Sequence, residues 1–249
     1  MKTVLITGCS SGFGLETARH FLDKGWSVIA TMRNPDETLL PASDHVRILP
    51  LDVSNSESII AAVDAAGPID ALVNNAGVGW LSPFEGTSEE HLRRIFETNT
   101  FGTMAMVRAV LPQMRAAGSG VIVNVTSSVT LKPLPLASVY TASKAAINAY
   151  TECLALELAP LGIRTHIVLS GQAPTTNFGK TAMGLMSQSN DTPEDYQAFV
   201  GQVMGAFRDA SGKEFTYSDD VVQAIWNAVN DDESRLRIPA GKDCIALAS

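Results

Sequence analysis

Six apolar runs of about five residues recur along this chain, at residues 4–7, 27–31, 46–51, 69–73, 120–125 and 163–169. Between most of them lie stretches with helical spacing, at residues 13–24, 56–65, 88–117 and 139–159. Short buried strands alternating with helices of ten or more residues build repeated βαβ units and a parallel sheet. With no internal repeat and no Pro/Gly/Ser linker, the economical reading of residues 1–249 is one doubly wound α/β domain of the Rossmann type. The alternation breaks over residues 171–213, where Met183, Met186, Met204, Phe178, Phe199 and Phe207 mix with Gly, Ser and Asp. That is too long for a plain loop. A mobile substrate lid is expected there, partly helical over residues 193–207, with methionines that suit a deformable apolar wall.

The first run leads straight into Thr7-Gly8-Cys9-Ser10-Ser11-Gly12-Phe13-Gly14. Strand, glycine turn and helix together hold a pyrophosphate, because the helix N-terminus offers unpaired N–H groups and a positive dipole end. Gly8 turns the backbone out of the strand, Gly12 admits the phosphates, and Gly14 lets the helix pack close on the sheet. The spacing is G-x-x-x-G-x-G rather than the commoner G-x-G-x-x-G.

Charge narrows the partners. A formal net charge of −8 argues against nucleic acid or an anionic membrane surface, both of which want a basic face. The three cysteines, Cys9, Cys153 and Cys244, have no metal-ligand spacing and read as reduced thiols. The histidines, His20, His45, His91 and His166, are scattered, so no metal site is expected. No cleavage-site pattern follows Lys2, and no apolar run approaches the ~18 residues of a membrane span. A soluble cytoplasmic protein is expected.

Further motifs follow the glycine turn in order. Asn74-Asn75-Ala76-Gly77 ends the fourth run, Ser127 ends the fifth, Tyr140 follows thirteen residues later, and Lys144 four after that. With these motifs in this order, the chain resembles the short-chain dehydrogenase/reductase family over residues 2–169. Thr31-Met32-Arg33 at the second run adds a weaker similarity to its hydroxysteroid and retinol dehydrogenase-like members.

The resemblance implies a hydride transfer between a nicotinamide and a carbonyl or alcohol carbon. Tyr140 would be the acid/base. A free tyrosine titrates near ~10, and Lys144 lies one helical turn on, on the same face. An ammonium about 4 Å away would stabilise phenolate by at most ~4 kcal/mol, enough to bring the phenol towards neutrality. By resemblance, Lys144 also holds the nicotinamide ribose, Ser127 polarises the carbonyl, and Asn99 holds a water that relays protons between Lys144 and solvent.

An acidic side chain at the end of the second strand would favour NAD. Met32 stands there, followed by Arg33, which can pair with a 2′-phosphate, so NADP(H) is expected. Ser10 or Ser11 would add a hydrogen bond to that phosphate, although the basic residue many NADP-preferring relatives carry in the glycine turn is absent. Asp52, followed by Val53, matches the family residue that contacts adenine. Asn75, Ala76 and Gly77, with Asn74, would line the adenosine ribose. After the sixth run the family has Pro-Gly, but here the stretch is Ser170-Gly171-Gln172-Ala173-Pro174-Thr175-Thr176. Ala173 and Thr175 would hold the carboxamide, Thr176 could share that role, and Ser170 would loosen the turn.

Pocket candidates are Trp80, Leu81, Leu131, Leu134, Leu136 and the apolar residues of 171–213. The expected substrate is a neutral, bulky ketone or secondary alcohol. The family's habit implies a homodimer or homotetramer. NAD-dependent alcohol oxidation, a non-catalytic NADP(H) sensor or scaffold, and a sugar epimerase or dehydratase are the rival readings. The intact Ser127, Tyr140 and Lys144 weigh against the sensor, and the short C-terminal remainder weighs against the epimerase.

Overall fold

A computed structural model of the chain describes residues 1–174, 176, 192–209 and 214–249. Seven strands form one parallel sheet in the order β3-β2-β1-β4-β5-β6-β7. They are β1 (Thr3–Thr7), β2 (Ser27–Met32), β3 (Val46–Pro50), β4 (Ala71–Asn74), β5 (Gly120–Ser127), β6 (Ile163–Ser170) and β7 (Arg237–Ala240). The order reverses between β1 and β4, which opens a crevice at their carboxyl ends, the ligand site of doubly wound sheets. This is the Rossmann-type α/β fold expected from the alternation.

The central strands are buried along nearly their whole length, as a sheet covered on both faces requires. One face carries α1 (Gly12–Asp23) and α7 (Ser218–Asn230), which bury Phe21, Val221 and Ile225 against Val4, Ile6 and Val28. Trp26 and Trp226 meet Phe21 edge-on there, with ring centroids 5.2 and 5.0 Å away. The other face carries α2 (Ser56–Ala66), α4 (Gly102–Ala117) and α5 (Ser138–Leu158), which pack Ile59, Met106, Val110 and Leu154 over Leu5, Leu72 and Ile122. Between β6 and α7 lies α6 (Gln197–Arg208), close to the helix expected over residues 193–207; α8 (Lys242–Ala248) ends the chain.

Two features depart from the expectation. The helix over residues 88–117 is divided: α3 (Glu89–Phe96) passes through a π-helical turn, Glu97–Phe101, into α4. Such turns often mark functional sites, and this one contains Asn99. The chain past residue 213 also adds β7, an edge strand of four residues whose Pro239 pairs with Leu169. Proline is tolerated there because the outer side of an edge strand needs no donor. Met183, Met186, Phe178 and Thr175 lie outside the described residues. No helix among the described residues is long and apolar enough to cross a membrane.

Candidate active site

A cavity of about 1420 Å³ occupies the crevice. Its floor is the glycine turn. Gly8 and Gly12 have φ of +75° and +58°, the left-handed region that favours glycine. A Cβ on Gly14 would lie 2.3 Å from the Gly8 carbonyl oxygen and 2.5 Å from Asn75 Nδ2, so α1 can approach β1 only without one. Gly14 packs behind the turn, while Gly8, Ser10, Ser11, Gly12 and Phe13 face the cavity. Ser11 is the N-cap residue of α1, yet its side chain makes no capping bond. Among the described residues, no side chain accepts from the first N–H groups of α1, as a phosphate cradle needs.

Asn75 braces this turn. Its Nδ2 donates to the Thr7 and Gly8 carbonyls at 3.0 and 3.2 Å, and the N–H groups of Asn75 and Ala76 donate to Thr7 Oγ1. Asn75, Ala76 and Gly77 line the cavity. Asn74, expected beside them, is instead buried within the sheet and donates to Asn124 Oδ1. A strand residue with its side chain inside the sheet cannot line a ribose.

At one end of the cavity stand Arg33, Asp52 and Val53. Asp52 Oδ1 accepts from the Ser54 hydroxyl at 2.7 Å and the Ser54 N–H at 2.9 Å. Those bonds, and the nearby Arg33 guanidinium, hold its carboxyl below the usual aspartate range. Asp36, further on, is engaged elsewhere, accepting from Thr38 on the surface.

The other end gathers Ser127, Tyr140 and Lys144, each buried and each facing the cavity. Ser127 ends β5, while Tyr140 and Lys144 share a face of α5. The Ser127 hydroxyl hydrogen-bonds the Tyr140 phenol. Lys144 Nζ donates to the Val125 carbonyl at 3.0 Å. Burial pushes Tyr140 up to about 12, against the opposing pull of the Ser127 bond, and brings Lys144 down to about 8. Without cofactor, desolvation of the phenolate is the larger of these effects on Tyr140.

Asn99 is not on the cavity wall. Its Oδ1 accepts from the Val78 N–H at 2.8 Å, and its Nδ2 donates to the Val78 carbonyl at 2.9 Å and to Ser143 Oγ at 3.1 Å. It ties the π turn to α5. A Cβ on Gly77 would meet Asn99 Oδ1 at 3.3 Å and Lys144 Nζ at 3.4 Å. Glycine at this position thus avoids crowding these two polar atoms.

The apolar wall is Val78, Trp80, Leu81, Val129 and Leu134, with Met204 and Phe207 from α6. Leu131 and Leu136 are not part of it. Leu131 packs on Ile167, Leu169 and Cys244, and Leu136 is buried at φ +65° with its carbonyl accepting from the Ser82 N–H. Val78, Val129, Met204 and Phe207 complete the wall; only Met204 and Phe207 had a sequence signal, as apolar residues beyond the alternation. Ser170, Gly171, Gln172, Ala173 and Thr176 form the remaining side. Ser170 does not loosen its turn, because its hydroxyl donates to the Thr126 carbonyl at 3.1 Å. Thr176 lies opposite the glycine turn: a Cβ on Gly12 would be 3.8 Å from that of Thr176.

Comparison with known proteins agrees with this geometry. Residues 2–183 match the family model for short chain dehydrogenases. The chain is 35% identical over 253 residues to the oxidoreductase YusZ of Bacillus subtilis, covering 97% of this chain and 89% of that one. It is 36% identical over 249 residues to human retinol dehydrogenase 8, covering 95% and 80%. A short-chain dehydrogenase from Streptomyces avermitilis superimposes with a TM-score of 0.84 at 33% identity, covering 99% and 90%. Similar solved structures hold either dinucleotide: NADP+ in a serine dehydrogenase, NAD in a short-chain dehydrogenase/reductase from Burkholderia phymatum. With that coverage and this crevice, the chain belongs to the short-chain dehydrogenase family, whose members are oxidoreductases that use NAD or NADP.

Proposed function

We propose that this protein is an NADP(H)-dependent carbonyl reductase or secondary alcohol dehydrogenase acting on a neutral, bulky, apolar ketone or alcohol. The observation that carries the reading is the cavity itself. It joins a glycine-turn phosphate cradle and Arg33 at one end to Ser127, Tyr140 and Lys144 at the other.

The residues fit the cofactor. The α1 N-terminus and Gly12 would take the pyrophosphate, Arg33 with Ser10 or Ser11 the 2′-phosphate, and Asp52 and Val53 the adenine. Asn75 would hold the floor, with Ala76 and Gly77 against the ribose. Gly171, Ala173 and Thr175 would take the carboxamide. When bound, the nicotinamide supplies or accepts hydride. The chain's own residues handle the proton. The Ser127 hydroxyl orients the substrate oxygen beside the Tyr140 hydroxyl, which gives its proton to that oxygen in reduction and takes it back in oxidation. The Lys144 ammonium stabilises the phenolate left behind. Asn99 and Lys144 would hold a relay water between them.

Arg33 favours NADP(H), since no carboxylate stands at the end of β2 to repel a 2′-phosphate. The apolar wall from Val78 to Phe207 favours a bulky substrate without charge. Homodimers or homotetramers, a cytoplasmic location and a single catalytic domain with α6 on its substrate side belong to the same proposal.

Following NADPH and NADH absorbance against bulky and small ketones tests it, with Tyr140→Phe as control. NADPH oxidation that vanishes in the control is expected. Turnover of small polar ketones alone would sink the substrate class, and equal use of both cofactors the cofactor assignment.

A further inference from the structure

We propose that Thr216 and Asp243 are positioning residues that latch the loop after β6 and so set the reacting half of the cofactor site. The proposal rests on the functional reading above. Both residues lie outside the matched residues 2–183.

The loop leaves β6 at Ser170, which is in register with Ser127 at the end of β5. Gly171, Gln172 and Ala173 then line the cavity on its catalytic side, and Thr176 comes round to face the glycine turn. A loop in that position decides where a nicotinamide ring lies relative to Tyr140. Past Ser170 it has left the sheet, so its path depends on partners outside the sheet.

Residues far along the chain hold it instead. Asp243 Oδ2 accepts from the Gln172 N–H at 2.6 Å. The Gln172 carbonyl accepts from the Thr216 N–H at 2.9 Å. Thr216 Oγ1 accepts from the Gly171 N–H at 3.0 Å. Its single proton has two acceptors, Asp243 Oδ1 at 2.6 Å and the Ala240 carbonyl at 3.0 Å. The shorter, charged acceptor takes it, because charge-assisted bonds are the stronger ones. Thr216 is fully buried, and its hydroxyl is the hub. The fit is close. A Cβ on Gly171 would lie 2.2 Å from Asp243 Oδ1 and 2.3 Å from Thr216 Oγ1, and one on Gly241 would lie 2.0 Å from Thr216 Oγ1. Both glycines are consequences of the latch. The Gly171 N–H, the Gln172 N–H and the Gln172 carbonyl are thereby tied to the segment before α7 or to α8.

The latch acts on one end of the cavity, because Arg33, Asp52 and the glycine turn lie outside it. That asymmetry gives the test. Binding of NADP+, NAD+ and the adenine-half fragment adenosine 2′,5′-bisphosphate is measured by titration calorimetry for wild type, Asp243→Ala, Asp243→Asn, Thr216→Val and Thr216→Ser. Asp243→Ala and Thr216→Val should weaken NADP+ binding about tenfold or more, as loss of charge-assisted bonds implies, and leave the fragment unchanged. Thr216→Ser, which keeps the hydroxyl, should bind as wild type does. Asp243→Asn keeps the shape and one acceptor, so it should fold and fall between. Unchanged NADP+ binding in Asp243→Ala, or equal weakening of NADP+ and fragment, would overturn the latch while leaving the function standing. A wild type that binds neither dinucleotide would overturn the functional reading and the latch with it.

Discussion

Lys144 is a buried cation in a protein without a buried partner charge beside it among the described ion pairs, and this should have a measurable cost. Burial brings its titration from an ordinary 10.5 down to about 8. The unfolded chain therefore holds this proton over a pH range in which the folded protein has already released it. Stability rises with pH wherever the unfolded state binds more protons, so the folded state gains between about pH 8 and 10.5. Below that window the full penalty applies: a shift of ~2.5 units at ~1.4 kcal/mol per unit is roughly 3 kcal/mol. Replacing Lys144 by Met removes the charge and keeps most of the volume, but it also loses the bond to the Val125 carbonyl, about 1 kcal/mol. At pH 7 the cofactor-free variant should then be about 2 kcal/mol more stable than wild type, and inactive. At pH 10 the wild-type penalty has shrunk to ~1 kcal/mol, so the two proteins should be nearly equal. Tyr140 also titrates at high pH, with its folded value raised, and this lowers stability above its ordinary value of 10.0. Up to pH 10 that loss is at most about 0.4 kcal/mol, so the difference between the two proteins reports Lys144. Urea unfolding at pH 7, 8.5 and 10 checks the argument. A variant that is less stable at pH 7, or a difference independent of pH, would refute the idea that desolvation of Lys144 dominates.

Other substitutions probe the rest of the cavity. Arg33→Ala should raise KM for NADPH by roughly ten- to a hundredfold, the worth of a bond to a charged group, and leave NADH within about threefold; parallel steady-state kinetics with each cofactor would show it. Tyr140→Phe should lower kcat by about 10²–10⁴, the range for general acid–base catalysis, while NADP+ affinity by calorimetry stays near wild type. Gly14→Ala places a methyl 2.3 Å from the Gly8 carbonyl oxygen, and should destabilise the protein by about 1–3 kcal/mol in urea unfolding. Trp80→Ala should raise KM for bulky ketones far more than for small ones, since Trp80 is buried in the apolar wall; a substrate series of graded size measures this.

Much of this site was legible because it is built from backbone turns. A glycine turn must have its glycines wherever it lies in the fold, and the strand-end residues Asn75, Gly77 and Ser127 were legible through the order and spacing of the family motifs they belong to. Tyr140 and Lys144 were legible as one helix face. What escaped depends on tertiary contact. Asn99 carries no local sign of its π turn, because five residues of wider helix leave the apolar spacing of 88–117 nearly intact. Leu131 and Leu136 look like pocket residues by proximity to Tyr140, and only the loop's path turns them inward. Strand β7 is short, partly exposed and contains proline, so it has no apolar run to betray it. Thr216 and Asp243 belong to no motif, and they reach Gly171 and Gln172 across 45 and 71 residues.

The pair of shifts at Tyr140 and Lys144 also bears on how such a site works. Desolvation favours the neutral form of each: a phenol that keeps its proton and an amine that tends to lose one. A shift of about two units makes phenolate ~3 kcal/mol harder to form here than in water. In the proposed reaction Tyr140 would then release its proton only with help from positive charge close by. A Lys144 that titrates at about 8 is mostly charged at neutral pH and can give that help. Near pH 8 and above, the fraction of charged Lys144 falls, and proton release from Tyr140 loses its support. Alcohol oxidation, which needs Tyr140 to accept a proton, would gain from alkaline pH only while Lys144 stays charged. Its rate should therefore pass through a maximum rather than rise to a plateau, and Lys144→Met should abolish that profile rather than shift it. A plateau that continues past pH 10 in wild type would show that Lys144 does not support the phenolate.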